Sequence, residues 1–296
     1  MMSEIEFTVV MAAFNAEETI EEALNSVLAQ TDSPTEVLVI DDGSTDRTCE
    51  VVQSFSSRGV RLLRMGENRG GGEARNAGIA ATRTSHVTFL DADDVLLPHH
   101  IAVHRIALQE TGADVVATKL VNWDSRTGTV WADDRRVPWV EPWSTALRRS
   151  NFLCGASTFR SDLLRELGGY RTGVTEDWDL WIRVVSSRFK VEPSAVVTYM
   201  YRWREGSVSR SFSAIERDRE TLIRALKESR GFGDRLAVRR GILLIGAREH
   251  LAVGKNGTAR HSMRQLVVDV LGALVGGRPR LAGALVRQSL TKLDES

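Results

Sequence analysis

The chain has 296 residues, enough for one large α/β domain or a domain of about 200 residues with an appendage. Hydrophobic residues make up 42% and charged residues 26%, a globular balance that speaks against disorder. Lys plus Arg and Asp plus Glu both number 39, so the net charge is zero and implies no nucleic-acid partner; any membrane affinity would have to come from a local patch.

Phe7 to Met11 is a short, nearly continuous apolar run, the pattern of a strand buried on both faces of a parallel sheet. From Glu17 to Gln30 the residues Ile20, Ala23, Leu24, Val27 and Leu28 recur at helical spacing. Val37 to Ile40 is a second buried strand, and it runs into Asp41-Asp42-Gly43-Ser44-Thr45-Asp46. A helix follows over about Arg47 to Phe55, with Thr45 or Asp46 as its N-cap. Val60 to Arg64 predicts a third strand, Glu73 to Ala81 a third helix, and His86 to Leu90 a fourth strand. This βαβαβαβ succession predicts a doubly wound α/β sheet with its ligand beyond the carboxyl ends of the strands. From Ala113 to Leu120 another strand is expected, then a Trp-rich, turn-rich stretch, helices at Leu163–Leu167 and Glu176–Val185, and a strand over Val191–Arg202. Beyond about residue 212 the chain reads as basic helices near 214–229, 234–253, 258–275 and 280–293.

The only cysteines, Cys49 and Cys154, point to buried thiols in a reducing compartment, and none of the six histidines joins a zinc-spaced cluster. The start of the chain lacks signal-peptide regions, and no apolar run reaches the length of a membrane span. A cytoplasmic chain is expected, with peripheral contact at the inner face of a membrane left open.

The polar clusters fall where a doubly wound sheet puts its site. Asp91-Ala92-Asp93 follows an apolar strand, and two carboxylates around one small residue suit Mg²⁺ or Mn²⁺ bound together with a diphosphate. An acidic loop capping the next helix is the alternative. Asp42 can accept hydrogen bonds from a ribose or base, or form an Asx turn with Ser44 and Thr45. Asn15 offers an amide to the same crevice or caps a helix, while Phe14 can pack on a base. Gly70-Gly71-Gly72 opens a helix carrying Arg75, and both helix start and guanidinium suit anionic oxygens; a tight structural turn is the other reading. Glu176 and Asp177 begin a helix, as macrodipole partners or as a general base.

Residues 1–212 together resemble the GT-A fold glycosyltransferases of family 2, which are inverting and use nucleotide-sugar donors. The resemblance is carried by Val9 to Asn15, Val39 to Asp46, Asn68 to Gly78 and Phe89 to Asp94. It continues through Gly155 to Arg160, Leu167 to Tyr170 and Glu176 to Trp181. It implies a Rossmann-like nucleotide-sugar-binding sheet over 1–212 and a C-terminal helical extension over 213–296. That extension would serve as a cap, a homo-oligomer contact or a membrane-surface contact. The resemblance further implies that Asp42 holds the nucleotide and that Ala12, Phe14 and Asn15 flank the base. Asp91 would contact nucleotide or metal, Asp93 would be the principal ligand of Mn²⁺ or Mg²⁺, and Asp177 would be the catalytic base beside Glu176. A UDP-sugar is the implied donor, and a carbohydrate, lipid-linked or other hydroxyl compound the acceptor.

Departures from the pattern are limited. The first strand lacks a proline, and Phe14 stands where tyrosine is usual. No histidine lies near Arg204 or Glu205, which leaves Arg202 or Arg204 to reach the phosphate. The absence of a Gln-x-x-Arg-Trp motif speaks against a processive synthase. All seven tryptophans lie between Trp123 and Trp203; Trp181 is expected in the core, and Trp131, Trp139 and Trp143 either in an acceptor site or in packing. An alternative for the whole chain is a nucleotide-sugar-binding regulatory protein without turnover.

Overall fold

The computed structural model describes residues 4–132, 156–187 and 189–203, with 220, 221, 224 and 225, the last four helical. The chain divides into two compact units, Met1–Arg210 and Ser211–Ser296. Apart from those four residues, the expected C-terminal helices lie outside the described residues. So do the boundary at residue 212, Trp139, Trp143, Cys154, Gly155, Arg204 and Glu205. No helix among the described residues is long and apolar enough to cross a membrane.

Four parallel strands form one half of the sheet: β1 (Phe7–Ala13), β2 (Glu36–Asp41), β3 (Val60–Arg64) and β4 (His86–Asp91). The apolar runs of β1, β2 and β4 are buried on both sides, as the unalternating sequence requires, while β3 at the edge is only partly buried. One face packs on α1 (Ile20–Leu28), α2 (Thr48–Ser54) and α4 (His100–Thr111) through Val9, Met11, Leu24, Val52 and Ile101. The other packs on α3 (Gly71–Ala81), α5 (Ser161–Glu166) and α6 (Glu176–Ser186) through Val10, Leu38, Ala74, Leu164 and Trp181. Each buried valine, leucine, isoleucine or methionine among them contributes about 1.5–3 kcal/mol by leaving water. The fold is thus the doubly wound α/β sheet expected. Its α3–β1 contact is close enough that a Cβ on Gly78 would stand 2.3 Å from Val10 Cγ1.

The other half is mixed. Beyond β4 the order is β8 (Thr158–Arg160), β6 (Val115–Asp124), β9 (Val191–Arg202) and β5 (Val95–Leu96), with β7 (Thr129–Ala132) paired to β6. The short β8 runs antiparallel to both β4 and β6, while β6 and β9 are parallel. Register decides where the site falls. Ala13 lies opposite Asp41, and Ala12 lies opposite Asp91, so the carboxyl ends of β1, β2 and β4 stand side by side.

One helix start differs from expectation, and one expected cap is present. α1 begins at Ile20 rather than Glu17, because Asn15 takes φ 47° and Ala16 to Thr19 form a turn first. Asp46 fills the N-capping role for α2: its Oδ1 accepts from the Thr48 amide at 3.0 Å and from the Thr48 hydroxyl at 2.6 Å.

Candidate active site

The loop after β1 and the loop after β2 are fastened together. Among the described residues Asn15 alone has positive φ without being glycine, a conformation asparagine tolerates better than most. Its amide donates to Ser44 Oγ at 3.0 Å, and its Oδ1 accepts from the Thr45 amide at 2.9 Å. The side-chain oxygen therefore caps the neighbouring loop and not its own helix. Phe14 beside it is 47% exposed, an aromatic face at the mouth of the parallel strands.

Asp42, by contrast, is 2% exposed. Its two oxygens accept from the amides of Arg69 and Gly70, each at 2.8 Å, and so pull the Glu67–Gly70 segment onto the end of β2. Gly43 makes the approach feasible: a Cβ there would meet the Glu67–Asn68 backbone at 2.6–2.9 Å. Each carboxylate oxygen retains a second lone pair, so further acceptance is chemically open.

The centre of the site is Arg75, one turn into α3. Its guanidinium donates to Asp91 Oδ1 at 2.6 Å and to Glu176 Oε2 at 3.4 Å, and lies 5.4 Å from the centre of the Tyr170 ring. Burial opposes its charge, but the Asp91 and Asp177 carboxylates outweigh burial and raise its pKa well above that of free arginine. The glycines ahead of it have a use. The Glu176 carboxylate rests on Gly72, where a Cβ would fall 2.7 Å from its Cδ. The anion at the start of α3 is therefore the protein's own.

Asp177 follows Glu176 in the first turn of α6. Burial raises its pKa above the ordinary carboxylate range; Arg75 pulls it down and Asp91 pushes it up, and the net direction is upward. Below it Tyr170 is clamped by Asn76, whose Nδ2 donates to the Tyr170 carbonyl at 2.9 Å while its Oδ1 accepts the Tyr170 amide at 2.7 Å. Behind α6 the buried Arg183 bonds Asp179 at 2.7 Å and the carbonyls of Leu167 and Gly169 at 2.8 and 2.7 Å.

The Asp91–Asp94 turn is the other half of the site. The Asp94 amide donates to the Asp91 carbonyl at 3.1 Å. The Asp94 side chain is buried, accepting from the Tyr199 hydroxyl and from the Arg202 amide at 2.7 Å. Burial and the charges of Asp91 and Asp93 raise its pKa well above the usual range. Arg202, one of the two arginines the sequence offered to a phosphate, is packed against the protein. It is 6% exposed, and its Nε donates to the Asp93 carbonyl at 2.5 Å. Its remaining reach goes to Glu22 on α1 and to the Trp123 ring, 4.3 Å away.

Among the described residues no three His, Cys, Asp or Glu side chains are arranged to hold a metal. The donor set nonetheless fits one. Asp91, Glu176 and Asp177 gather around the single guanidinium of Arg75, and Asp93 adds its charge to the Asp91–Asp94 turn, an excess of negative charge that would repel a diphosphate. A hard divalent cation would reconcile the two, with Asp91 and Asp93 as the carboxylates able to hold it.

Trp181 stacks on Phe159 at 5.0 Å in the core, as expected, and Trp178 is buried as well. Trp131 is 38% exposed and meets Trp203 edge-on at 6.3 Å, so packing and exposure coexist there. The sequence reading gave no role to Tyr170, Asn76, Asp94 or Tyr199. Only Asp94, adjoining the Asp-x-Asp pair, carried a signal that could have marked it.

Residues 8–167 match the model of glycosyl transferase family 2. The chain is 34% identical over 222 residues to the succinoglycan biosynthesis protein ExoO of Rhizobium meliloti, covering 69% of this chain and 62% of that protein's length. It is 26% identical over 211 residues to the Escherichia coli UDP-Glc:alpha-D-GlcNAc-diphosphoundecaprenol beta-1,3-glucosyltransferase WfaP, covering 68% and 79% of the two chains. In structure it resembles S. aureus TarS 1-349, solved in complex with UDP-GlcNAc. The TM-score is 0.72 with 18% identity, over 96% of this chain and 92% of the other. At that identity the last likeness is one of fold.

Proposed function

The chain belongs to glycosyl transferase family 2, and on that footing we propose that it moves a sugar from a UDP-linked donor to an acceptor hydroxyl, with inversion. The setting we propose is synthesis of a cell-surface polysaccharide, glycolipid or glycoconjugate. The name of the Rhizobium relative supports a polysaccharide, and that of the E. coli relative supports UDP-glucose and a lipid-linked acceptor. One observation carries the reading: Arg75 ties Asp91 to Glu176 and so sets a donor-side carboxylate beside Asp177, a carboxyl group of raised proton affinity.

In this reading Asp177 accepts the proton of the acceptor hydroxyl. A carboxylate of raised proton affinity is a stronger base than an ordinary one. The hydroxyl oxygen bonds to the anomeric carbon as the bond from that carbon to the diphosphate oxygen breaks on the opposite face. The electron pair leaves with the diphosphate. Asp93, with Asp91, would hold Mn²⁺ or Mg²⁺, whose charge offsets that of the leaving group. Ala12, Phe14, Asn15 and Asp42 form the nucleotide side, with the exposed Phe14 ring against the base. Arg75 keeps Asp91 and Glu176 in place and supplies positive charge to the same space.

The test is release of nucleoside diphosphate from a panel of donors, with Mn²⁺ or Mg²⁺, by wild type, Asp93→Ala and Asp177→Asn. Turnover by wild type and its loss in both variants is the expected outcome. Equal turnover in Asp177→Asn would overturn the base assignment. Donor binding without turnover against a broad acceptor panel would favour a regulatory protein instead.

A further inference from the structure

We infer that Arg202 is a positioning residue that holds the Asp91–Asp94 turn from behind and so fixes where the Asp93 carboxylate stands. The inference rests on the transferase reading of that turn and deepens it: an arginine whose place in the sequence suggested a phosphate contact serves the metal-side carboxylate instead.

The geometry is specific. Arg202 closes β9, and its guanidinium touches three elements: the Asp93 carbonyl at 2.5 Å, the Glu22 carboxylate on α1, and the Trp123 ring of β6 at 4.3 Å. Its own amide takes the next residue of the turn, donating to Asp94 Oδ1 at 2.7 Å, and the Tyr199 hydroxyl of the same strand takes the other Asp94 oxygen. Two successive residues of the turn are thereby fastened to one strand. The planar fork of arginine can satisfy carbonyl and carboxylate at once while stacking on an indole, whereas the single ammonium of lysine cannot. At 6% exposure the group is turned into the protein, against these partners.

The turn is thus held from two sides. Arg75 grips Asp91 by its side chain at 2.6 Å, and Arg202 grips Asp93 by its main chain. Releasing the second grip leaves every carboxylate in the sequence but frees the second of the pair to move. A pair of metal ligands that no longer shares one geometry binds its cation more weakly, by about 10- to 100-fold where supporting contacts are lost.

Binding of Mn²⁺ in the presence of UDP, followed by the EPR signal of free Mn²⁺, tests this without any turnover. Wild type would be compared with Arg202→Met, Arg202→Lys, Glu22→Gln and the remote core variant His104→Leu, each with its melting temperature. The expected result is a dissociation constant raised about 10- to 100-fold in Arg202→Met. Arg202→Lys and Glu22→Gln should be weakened less, and His104→Leu should match wild type despite a lower melting temperature. Wild-type affinity in Arg202→Met and Glu22→Gln, or equal weakening in His104→Leu, overturns the inference. If Arg202→Met does not fold, Arg202→Lys and Glu22→Gln decide it. Wild type that binds no cation overturns the inference and the metal assignment together. Wild type that binds Mn²⁺ and UDP yet transfers nothing counts against the transferase reading alone.

Discussion

Strand β4 carries two polar clusters, one turn of chain apart, and they are built on opposite principles. Thr88 belongs to a chain of hydrogen bonds under α4. It bonds Thr158 at 2.6 Å, Thr158 bonds His104 Nδ1 at 2.7 Å, and His104 Nε2 reaches Thr118 at 3.2 Å. Thr118 then bonds Thr198 at 2.5 Å, and Thr198 bonds His100 Nδ1 at 2.8 Å. Every member is buried, and burial drives both histidines toward the neutral form, His100 to about 3. Three residues on, Asp91 belongs to a cluster in which carboxylates outnumber the one arginine and stay partly open to solvent. The first cluster is uncharged, and its hydroxyls and imidazoles pair with one another, His100 Nε2 excepted; the second leaves charge over. Surplus charge at the end of a strand, and not polarity as such, marks the place where a ligand belongs.

Asp177→Asn should break this comparison most sharply if it is wrong. The substitution keeps shape and removes the proton acceptor, so turnover should fall about 10²- to 10⁴-fold. The carboxylate it removes is costly to hold charged, as its raised pKa records, so the melting temperature should hold or rise. A variant that loses activity and melting temperature together would place Asp177 among the structural groups.

Acid should act on the two clusters with opposite sign. The folded-state pKa of His100 is about 3 and that of His86 about 4, both pushed down from 6.5 chiefly by burial. Below pH 6.5 the unfolded chain binds the extra protons, so their contribution to stability is lost as the pH falls toward those values. His100 alone accounts for about 3 kcal/mol between pH 6.5 and 4. Asp177 is raised, so it favours the folded state on acidification and loses that contribution as pH rises through its folded value. Urea unfolding across this range should show net loss of stability in acid, carried by the histidines and made steeper by Asp177→Asn, which removes the opposing contribution.

His104→Leu is the smaller counterpart of the first variant. It takes a partner from Thr158 and Thr118, each of which keeps another threonine, so the cost should be about 2 kcal/mol by urea unfolding. Turnover per folded molecule should not change.

The same contrast explains what the sequence made legible. The parallel strands announced themselves because burial on both faces leaves no room for polar residues in Val9-Val10-Met11 or Val37-Leu38-Val39. Helix α4 went unseen because two of its four inward residues are His100 and His104, which read as polar until their threonine partners are known. Strands β5 and β8 span two and three residues, too short for any period to show. At the site, Asp91 and Asp93 could be picked out by residue type and strand end, Arg75 by its helix start, and Asp177 only through the family resemblance. The grip of Arg202 could not, since nothing in a linear sequence ties it to a carbonyl 109 positions away.

Gly72→Ala carries the comparison to its finest grain. The added methyl would fall 2.7 Å from Cδ and 2.8 Å from Oε1 of Glu176, so one of them must give. Glu176 gives more readily, because its carboxylate ends a flexible side chain and α3 is fixed against β1 through Gly78 and Val10. Alanine within a helix is otherwise favoured over glycine by about 0.5–1 kcal/mol, so the fold should lose nothing and gain up to that amount. Glu176 would move off Arg75, whose 3.4 Å contact is the longer of its two, and the first turn of α6 would lose one tether near Asp177. Turnover should therefore fall by less than about tenfold, an effect of roughly 1 kcal/mol on the barrier, with the melting temperature equal or higher. A lower melting temperature with turnover intact would mean that the glycine serves the helix and not the carboxylate resting on it.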